Sequence, residues 1–213
     1  MITSISMMPA GEKYLEFTKQ IEKFADFAHL DVCDGEYNAT KCFMSEYAKI
    51  INQNTTLPLD CHLMTKNALQ YAKEYICAGA NIVSAQLESF ETEKEVKEYV
   101  DYVKSHNTLV GLAIEPKTEV QKLLPYLKDI DIVLLMSVPT GKSGQKFDEC
   151  VFEKIEFLKD YKSKNKLNFK IEVDGGINDK IAPKLKECGA DMVVSGNYVY
   201  LTQDKEKAIE LLK

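Results

Sequence analysis

LPLDCHLMTKNALQYAKEYICAGANIVSAQL, residues 57 to 87, decides the fold. It opens with LPLDCHLM at 57 to 64, a short, mostly apolar run of strand length. NALQYAKEYICAGA follows, in which Leu69, Ala72 and Ile76 recur at the three- and four-residue spacing of one helical face. The phrase CAGAN at 77 to 81 places Gly79 where the helix ends and the next strand, NIVSAQL at 81 to 87, begins. Strand, helix and second strand in this order make one βαβ unit, whose two strands lie parallel.

Outward from this unit the same alternation fills the chain. Further strands are predicted at 2 to 7 (ITSISM), 27 to 32 (FAHLDV), 108 to 114 (TLVGLAI), 131 to 138 (DIVLLMSV), 169 to 175 (FKIEVDG) and 191 to 197 (DMVVSGN). EKYLEFTKQIEKFA and ETEKEVKEYVDYVKSH carry the helical period between strands, and ECGAD at 187 to 191 repeats the glycine at a helix-to-strand junction. Eight βα pairs in 213 residues predict an α/β fold of the closed (β/α)8 TIM-barrel type, as a single domain over residues 1 to 213. A doubly wound sheet usually has fewer strands and a G-x-G-x-x-G turn, and none opens the first helix here.

The composition, 45% hydrophobic and 28% charged, is that of a globular protein. A net charge of −6 without a Lys/Arg stripe argues against binding duplex nucleic acid through its phosphates. No apolar run approaches 18 residues and no signal peptide is recognisable, so cytoplasmic residence with reduced cysteines is expected and no membrane partner. The six cysteines are scattered, without the close pair of a zinc knuckle.

Four residues fall at or near strand ends on the side where barrels of this type keep their active sites: His29, Asp31, His62 and Asp174. Residues i and i+2 of a strand share a face, so His29 and Asp31 can reach one point. Each alone has an ordinary explanation, as a capping carboxylate or a satisfied core histidine. Together, two imidazoles and two carboxylates suit one divalent metal ion: zinc, iron, manganese or cobalt. Glycine-containing loops follow the last three predicted strands: Gly141, Lys142, Ser143 and Gly144; then Gly175 and Gly176; then Ser195, Gly196 and Asn197. Their backbone amides could form an anion nest for a phosphate, with 141 to 144 as a loop that closes over it. The spacing of a nucleotide-binding P-loop is absent.

These pieces, in order, resemble the ribulose-phosphate 3-epimerase family: TSIS near the start, HLDVCDG at 29 to 35, PLDCHLM at 58 to 64, VLLMSV at 133 to 138, SGQKF at 143 to 147, IEVDGGIN at 171 to 178 and GADMVVSGN at 189 to 197. The resemblance implies a ribulose-phosphate-binding barrel with one metal held by His29, Asp31, His62 and Asp174. It implies that Asp31 and Asp174 serve as acid and base on opposite faces of a ketose phosphate. Loss of a proton beside the carbonyl gives an enediolate, whose charge a cation stabilises, and inversion needs two bases because one would return the proton to its own face. The implied substrate contacts are Ser4, His62, Gly141, Lys142, Ser143, Gly144, Gly175, Gly176, Gly196 and Asn197.

The expected reaction is D-ribulose 5-phosphate to D-xylulose 5-phosphate, a step of the pentose phosphate pathway, in a homo-oligomer. Departures from the family pattern fall on Glu36 to Thr40, on the lid Pro139 to Gln145, on Gln86 where a histidine is common, and on Cys33 where a methionine is usual. They leave open another ketose phosphate, such as D-allulose 6-phosphate, or a non-catalytic sugar-phosphate binder. Related barrels that decarboxylate or condense use an Asp-x-Lys-x-x-Asp strand, and Asp31-Val32-Cys33-Asp34 has no such lysine.

Overall fold

A computed structural model describes residues 1–213. The strands are β1 (Ile2–Ser6), β2 (Phe27–Asp34), β3 (Lys41–Cys42), β4 (Leu59–Met64), β5 (Ile82–Gln86), β6 (Leu109–Ile114), β7 (Ile132–Met136), β8 (Lys170–Asp174) and β9 (Met192–Ser195). The sheet order is β1-β9-β8-β7-β6-β5-β4-β2-β3, and β1 also pairs with β2. That second pairing closes eight parallel strands into a TIM barrel, as expected. Only β3 runs antiparallel, a two-residue addition that sets Cys42 opposite Cys33 on β2.

Helices α1 (Tyr14–Ile21), α2 (Ser45–Asn54), α3 (Ala68–Cys77), α4 (Glu93–Ser105), α5 (Val151–Asn165), α6 (Ala182–Cys188), α7 (Asn197–Leu201) and α8 (Lys205–Glu210) clothe the outside. Gly79 and Gly189 terminate α3 and α6 at φ 100° and 122°, a left-handed turn that a side chain would strain. The fifth βα pair departs from the expected pattern, because β6 and β7 are joined through a 3₁₀ turn, Val120–Leu123, instead of an α-helix. Pro125 explains it: proline has no N–H to continue the ladder, and its ring collides with the carbonyl four residues back. Val120 and Leu123 are nevertheless buried and cover that side of the barrel.

Alternation along the strands separates two environments. Leu30, Val32, Leu63, Val83, Leu112, Val133, Leu135, Ile171, Val173 and Val193 belong to the main apolar cluster shared with the helices. The alternate positions point into the barrel and form layers. At the N-terminal end Ile82, Ile132 and Met192, with Ile2 and Phe27 against them, make an apolar plug. Above it lie the fully buried polar residues Ser4, His29, Asp60, Ser84 and Glu172. Above these, at the C-terminal mouth, lie Ser6, Asp31, His62, Gln86, Met136 and Asp174. A barrel interior this polar requires its groups to be partnered or bound to something, since burying an unpaired polar group costs free energy.

Candidate active site and metal centre

His29 and Asp31 stand two residues apart on β2, His62 lies beside Asp31 in the register of β4, and Asp174 ends β8. Their ligand atoms all come within 4.8 Å of one another. His29 Nε2 is 3.7 Å from Asp31 Oδ1 and 3.9 Å from Asp174 Oδ2. These gaps are too long for hydrogen bonds, but two ligands about 2.1 Å from one ion lie at most about 4.2 Å apart. The side chains of Asp31 and Asp174 are 10% and 14% exposed whereas His29 is fully buried, so the carboxylates reach toward the mouth and the imidazole sits beneath them.

The two imidazoles are each tied at one nitrogen and unpartnered at the other. His29 Nδ1 is 2.6 Å from Asp60 Oδ2, which also accepts from the Ser4 hydroxyl at 2.7 Å. His62 Nε2 is 3.0 Å from the Gln86 carboxamide. Gln86 has Glu88 Oε2 at 2.8 Å and the Ala113 carbonyl at 3.3 Å, both acceptors, so its amide nitrogen must face them and its oxygen must accept from His62. That leaves His29 Nε2 and His62 Nδ1 as buried atoms with no hydrogen-bond partner. Two orphaned imidazole nitrogens converging with two carboxylates are the donor set of a divalent cation, and the residues present fit one.

Electrostatics follow from the crowding. Burial opposes charge on His29, but Asp60 and Asp31 outweigh it and raise its pKa well above 6.5. Burial and the neighbouring His29 charge push His62 down to about 4, so it is neutral at pH 7. Burial raises Asp31, but His29 prevails and lowers it from 3.8. Burial, then the Asp31 charge, push Asp174 up to about 7. Glu172, fully buried against Asp60, is driven well above 4.5 by burial and by that neighbour, so the neutral acid is the favoured form.

A cavity of about 290 Å³ opens above these groups. Asp31 and Asp174 line it together with Gly141, Lys142, Ser143, Gly144, Gly175, Gly176, Gly196 and Asn197, so the three glycine loops meet around one space. Gly176 lies under the lid so closely that a Cβ there would stand 2.6 Å from Phe147 N and 2.9 Å from the Gln145 carbonyl. Ser143 Oγ donates to Asn197 Oδ1 at 3.2 Å, and Gln145 Nε2 donates to the carbonyls of Pro139 and Lys142, which closes the lid upon itself. The two loops read as departures touch each other: Thr40 Oγ1 donates to the Gly141 carbonyl at 2.7 Å.

Two expected substrate contacts fall elsewhere. Ser4 is fully buried one layer down, donating to Asp60, and it does not line the cavity; nor does His62, which is likewise fully buried. Instead the floor and walls include Ser6, Met8, Met64 and Met136. The sequence reading missed Ser6, Asp60 and Glu172. The i, i+2 relation that paired His29 with Asp31 also pairs Asp60 with His62, Glu172 with Asp174 and Ser6 with Ser4.

Among known proteins, the family described as "Ribulose-phosphate 3 epimerase family" matches residues 3–200. A ribulose-phosphate 3-epimerase of Helicobacter pylori (strain J99) is 34% identical over 202 residues, 94% of this chain and 92% of the relative. That of Bacillus subtilis is 35% identical over 197 residues, 92% of this chain and 89% of the relative. Solved structures of similar shape include N-(5'-phosphoribosyl)anthranilate isomerase from Pyrococcus furiosus, with TM-score 0.66, 17% identity and coverage of 100% and 96% of the two chains. A 3-hexulose-6-phosphate synthase has TM-score 0.66, 16% identity and coverage of 100% and 98%. At such identities these two share the fold alone. The motifs, the order of the strands and the match along nearly the whole chain converge: the protein belongs to the ribulose-phosphate 3-epimerase family, a family of isomerases.

Proposed function

We propose that the protein is a metal-dependent 3-epimerase that interconverts D-ribulose 5-phosphate and D-xylulose 5-phosphate. Two carboxylates, Asp31 and Asp174, reaching one cavity from strands separated by β1 and β9, carry the reading. A ketose phosphate bound between them offers one face to each. Asp31, which lines the cavity, is placed to accept the proton from C3. Asp174, which reaches the same cavity from β8, is placed to deliver one to the other face, and the roles exchange in the reverse direction. His29, Asp31, His62 and Asp174 would hold a single zinc, iron, manganese or cobalt ion, which supplies Lewis-acid stabilisation of negative charge beside the reacting carbon. The amides around Gly175, Gly176, Gly196 and Asn197 receive the phosphate, and Lys142 on the lid adds a positive charge above it.

A second reading, 3-epimerisation of D-allulose 6-phosphate or another ketose phosphate, is favoured by one observation: the contact between Thr40 and Gly141 couples the two loops that depart from the family pattern. A coupled assay of metal-loaded protein with each substrate, beside a chelated control, separates the two. Fast, chelator-sensitive turnover of the pentulose is expected; preference for the hexulose assigns the altered loops to specificity. Asp31→Asn and Asp174→Asn should each abolish epimerisation with the fold intact, and near-normal turnover by either variant would refute the two-base assignment.

A further inference from the structure

We infer that Ser6 is a positioning residue for Asp31, fixing its carboxylate both as metal ligand and as proton acceptor; this rests on the two-base reading above. Ser6 ends β1 at the cavity wall, in register with His29 of β2. Its hydroxyl has two partners, and their chemistry fixes the hydrogen. The backbone N–H of Met8 donates to Ser6 Oγ at 3.2 Å, which occupies an acceptor site, and Ser6 Oγ then donates to Asp31 Oδ2 at 2.7 Å. The carboxylate oxygens of Asp31 are thereby made unlike: Oδ1 faces His29 Nε2 at 3.7 Å, on the ligand side, and Oδ2 is held by the serine at the wall of the cavity. The backbone of the same residue is held as well, since Cys42 Sγ donates to the Asp31 carbonyl at 2.8 Å.

Rotation of the Asp31 side chain would break the bond to Ser6 and move both oxygens from the positions their two roles require. Catalytic groups displaced by about 1 Å lose rates of order 100-fold, and partners that orient metal ligands are worth about 10–100-fold in metal affinity or activity. Ser4, two residues back on the same face, makes the corresponding bond to Asp60 one layer lower. The two serines of β1 thus each hold a carboxylate of the barrel interior, and only Ser6 does so in contact with the cavity.

The decisive pair of variants is Ser6→Thr and Ser6→Val, which have the same shape and differ by the hydroxyl. Two measurements are made on each: affinity for manganese in competition with a chromophoric chelator, and the steady-state constants for epimerisation of ribulose 5-phosphate at saturating manganese. Relative to Ser6→Thr, Ser6→Val is expected to bind manganese about 10-fold more weakly and to lose about 10-fold in kcat with KM changed less than about twofold. A drop in either property that the threonine restores supports the inference. Equal manganese affinity and equal kcat in the two variants would overturn it, whatever their stability. Should the wild-type protein not epimerise the pentulose, the proposed function fails by itself, and the manganese titration still decides whether Ser6 positions Asp31.

Discussion

Both imidazoles of the candidate metal cluster are oriented by a neighbour outside it. His29 depends on Asp60, and His62 depends on Gln86. Asp60→Asn removes the charge that pairs with His29 Nδ1, and Gln86→Leu removes the only acceptor for His62 Nε2–H, so each ring is freed to rotate or change tautomer. Both variants should weaken metal binding by about 10–100-fold in chelator competition without unfolding the protein. Unchanged affinity in both would mean that barrel packing alone sets the rings. Protons compete at the same atoms. In the metal-free protein His29 and Asp174 are shifted toward their protonated forms and His62 toward its neutral form. Metal binding must expel those protons, so affinity should fall as the pH is lowered from 8 to 6. Calorimetric titration in buffers of different ionisation enthalpy should record net proton release at pH 7, and no release would contradict the charged state of His29.

At the scale of elements, the proposed role of the lid and the loop beneath it is to set substrate affinity. The exposed Lys142 lines the cavity without belonging to the metal cluster, so Lys142→Ala should raise KM several-fold while changing kcat less, and an unchanged KM would count against a phosphate contact. Gly176→Ala places a Cβ against Phe147 N and the Gln145 carbonyl at φ 62°, which forces the lid segment outward. A cost of about 1–3 kcal/mol is expected, read as a fall in melting temperature of roughly 2–4 °C per kcal/mol for a chain of this size. The eight barrel strands were legible because each is a short apolar run between helical segments, and the candidate cluster of His29, Asp31, His62 and Asp174 because its members fall at or near the C-terminal ends of such runs. The turn at 120–123 was not, because its apolar residues keep a helix-like spacing and only Pro125 betrays the break. Strand β3 was not either: a two-residue strand has no periodicity, and its position follows from pairing with β2. Asp60 and Glu172 were in view at i−2 from His62 and Asp174, but a lone acidic residue in a strand does not announce which layer of a closed barrel it occupies.

For the molecule as a whole, the barrel interior is an arrangement that metal binding should complete. Between the apolar plug and the cavity stand Asp31, Asp60, Glu172 and Asp174, with His29 as the one group driven to carry positive charge at neutral pH. Without metal, Asp174 keeps its proton up to about pH 7 although its ordinary value is 3.8. A folded-state pKa raised above the unfolded value contributes stability that is complete below about pH 4 and is lost as the pH rises through 7. The metal-free protein therefore loses this contribution toward pH 8, while the cation, binding only when Asp174 and His29 have lost their protons, gains affinity over the same interval. A ligand that binds the folded state alone stabilises it by about 2.7 kcal/mol at 100 times its Kd. For a chain of this length that corresponds to a rise in melting temperature of roughly 5–10 °C at pH 8, and a smaller one at pH 6. Scanning calorimetry of chelated and manganese-loaded samples at the two pH values tests both the size and the direction. His29→Ala, which removes a ligand and the central cation together, should abolish the metal-dependent rise; a rise that persists in that variant, or that is greater at pH 6 than at pH 8, would show that the stabilising ion sits elsewhere.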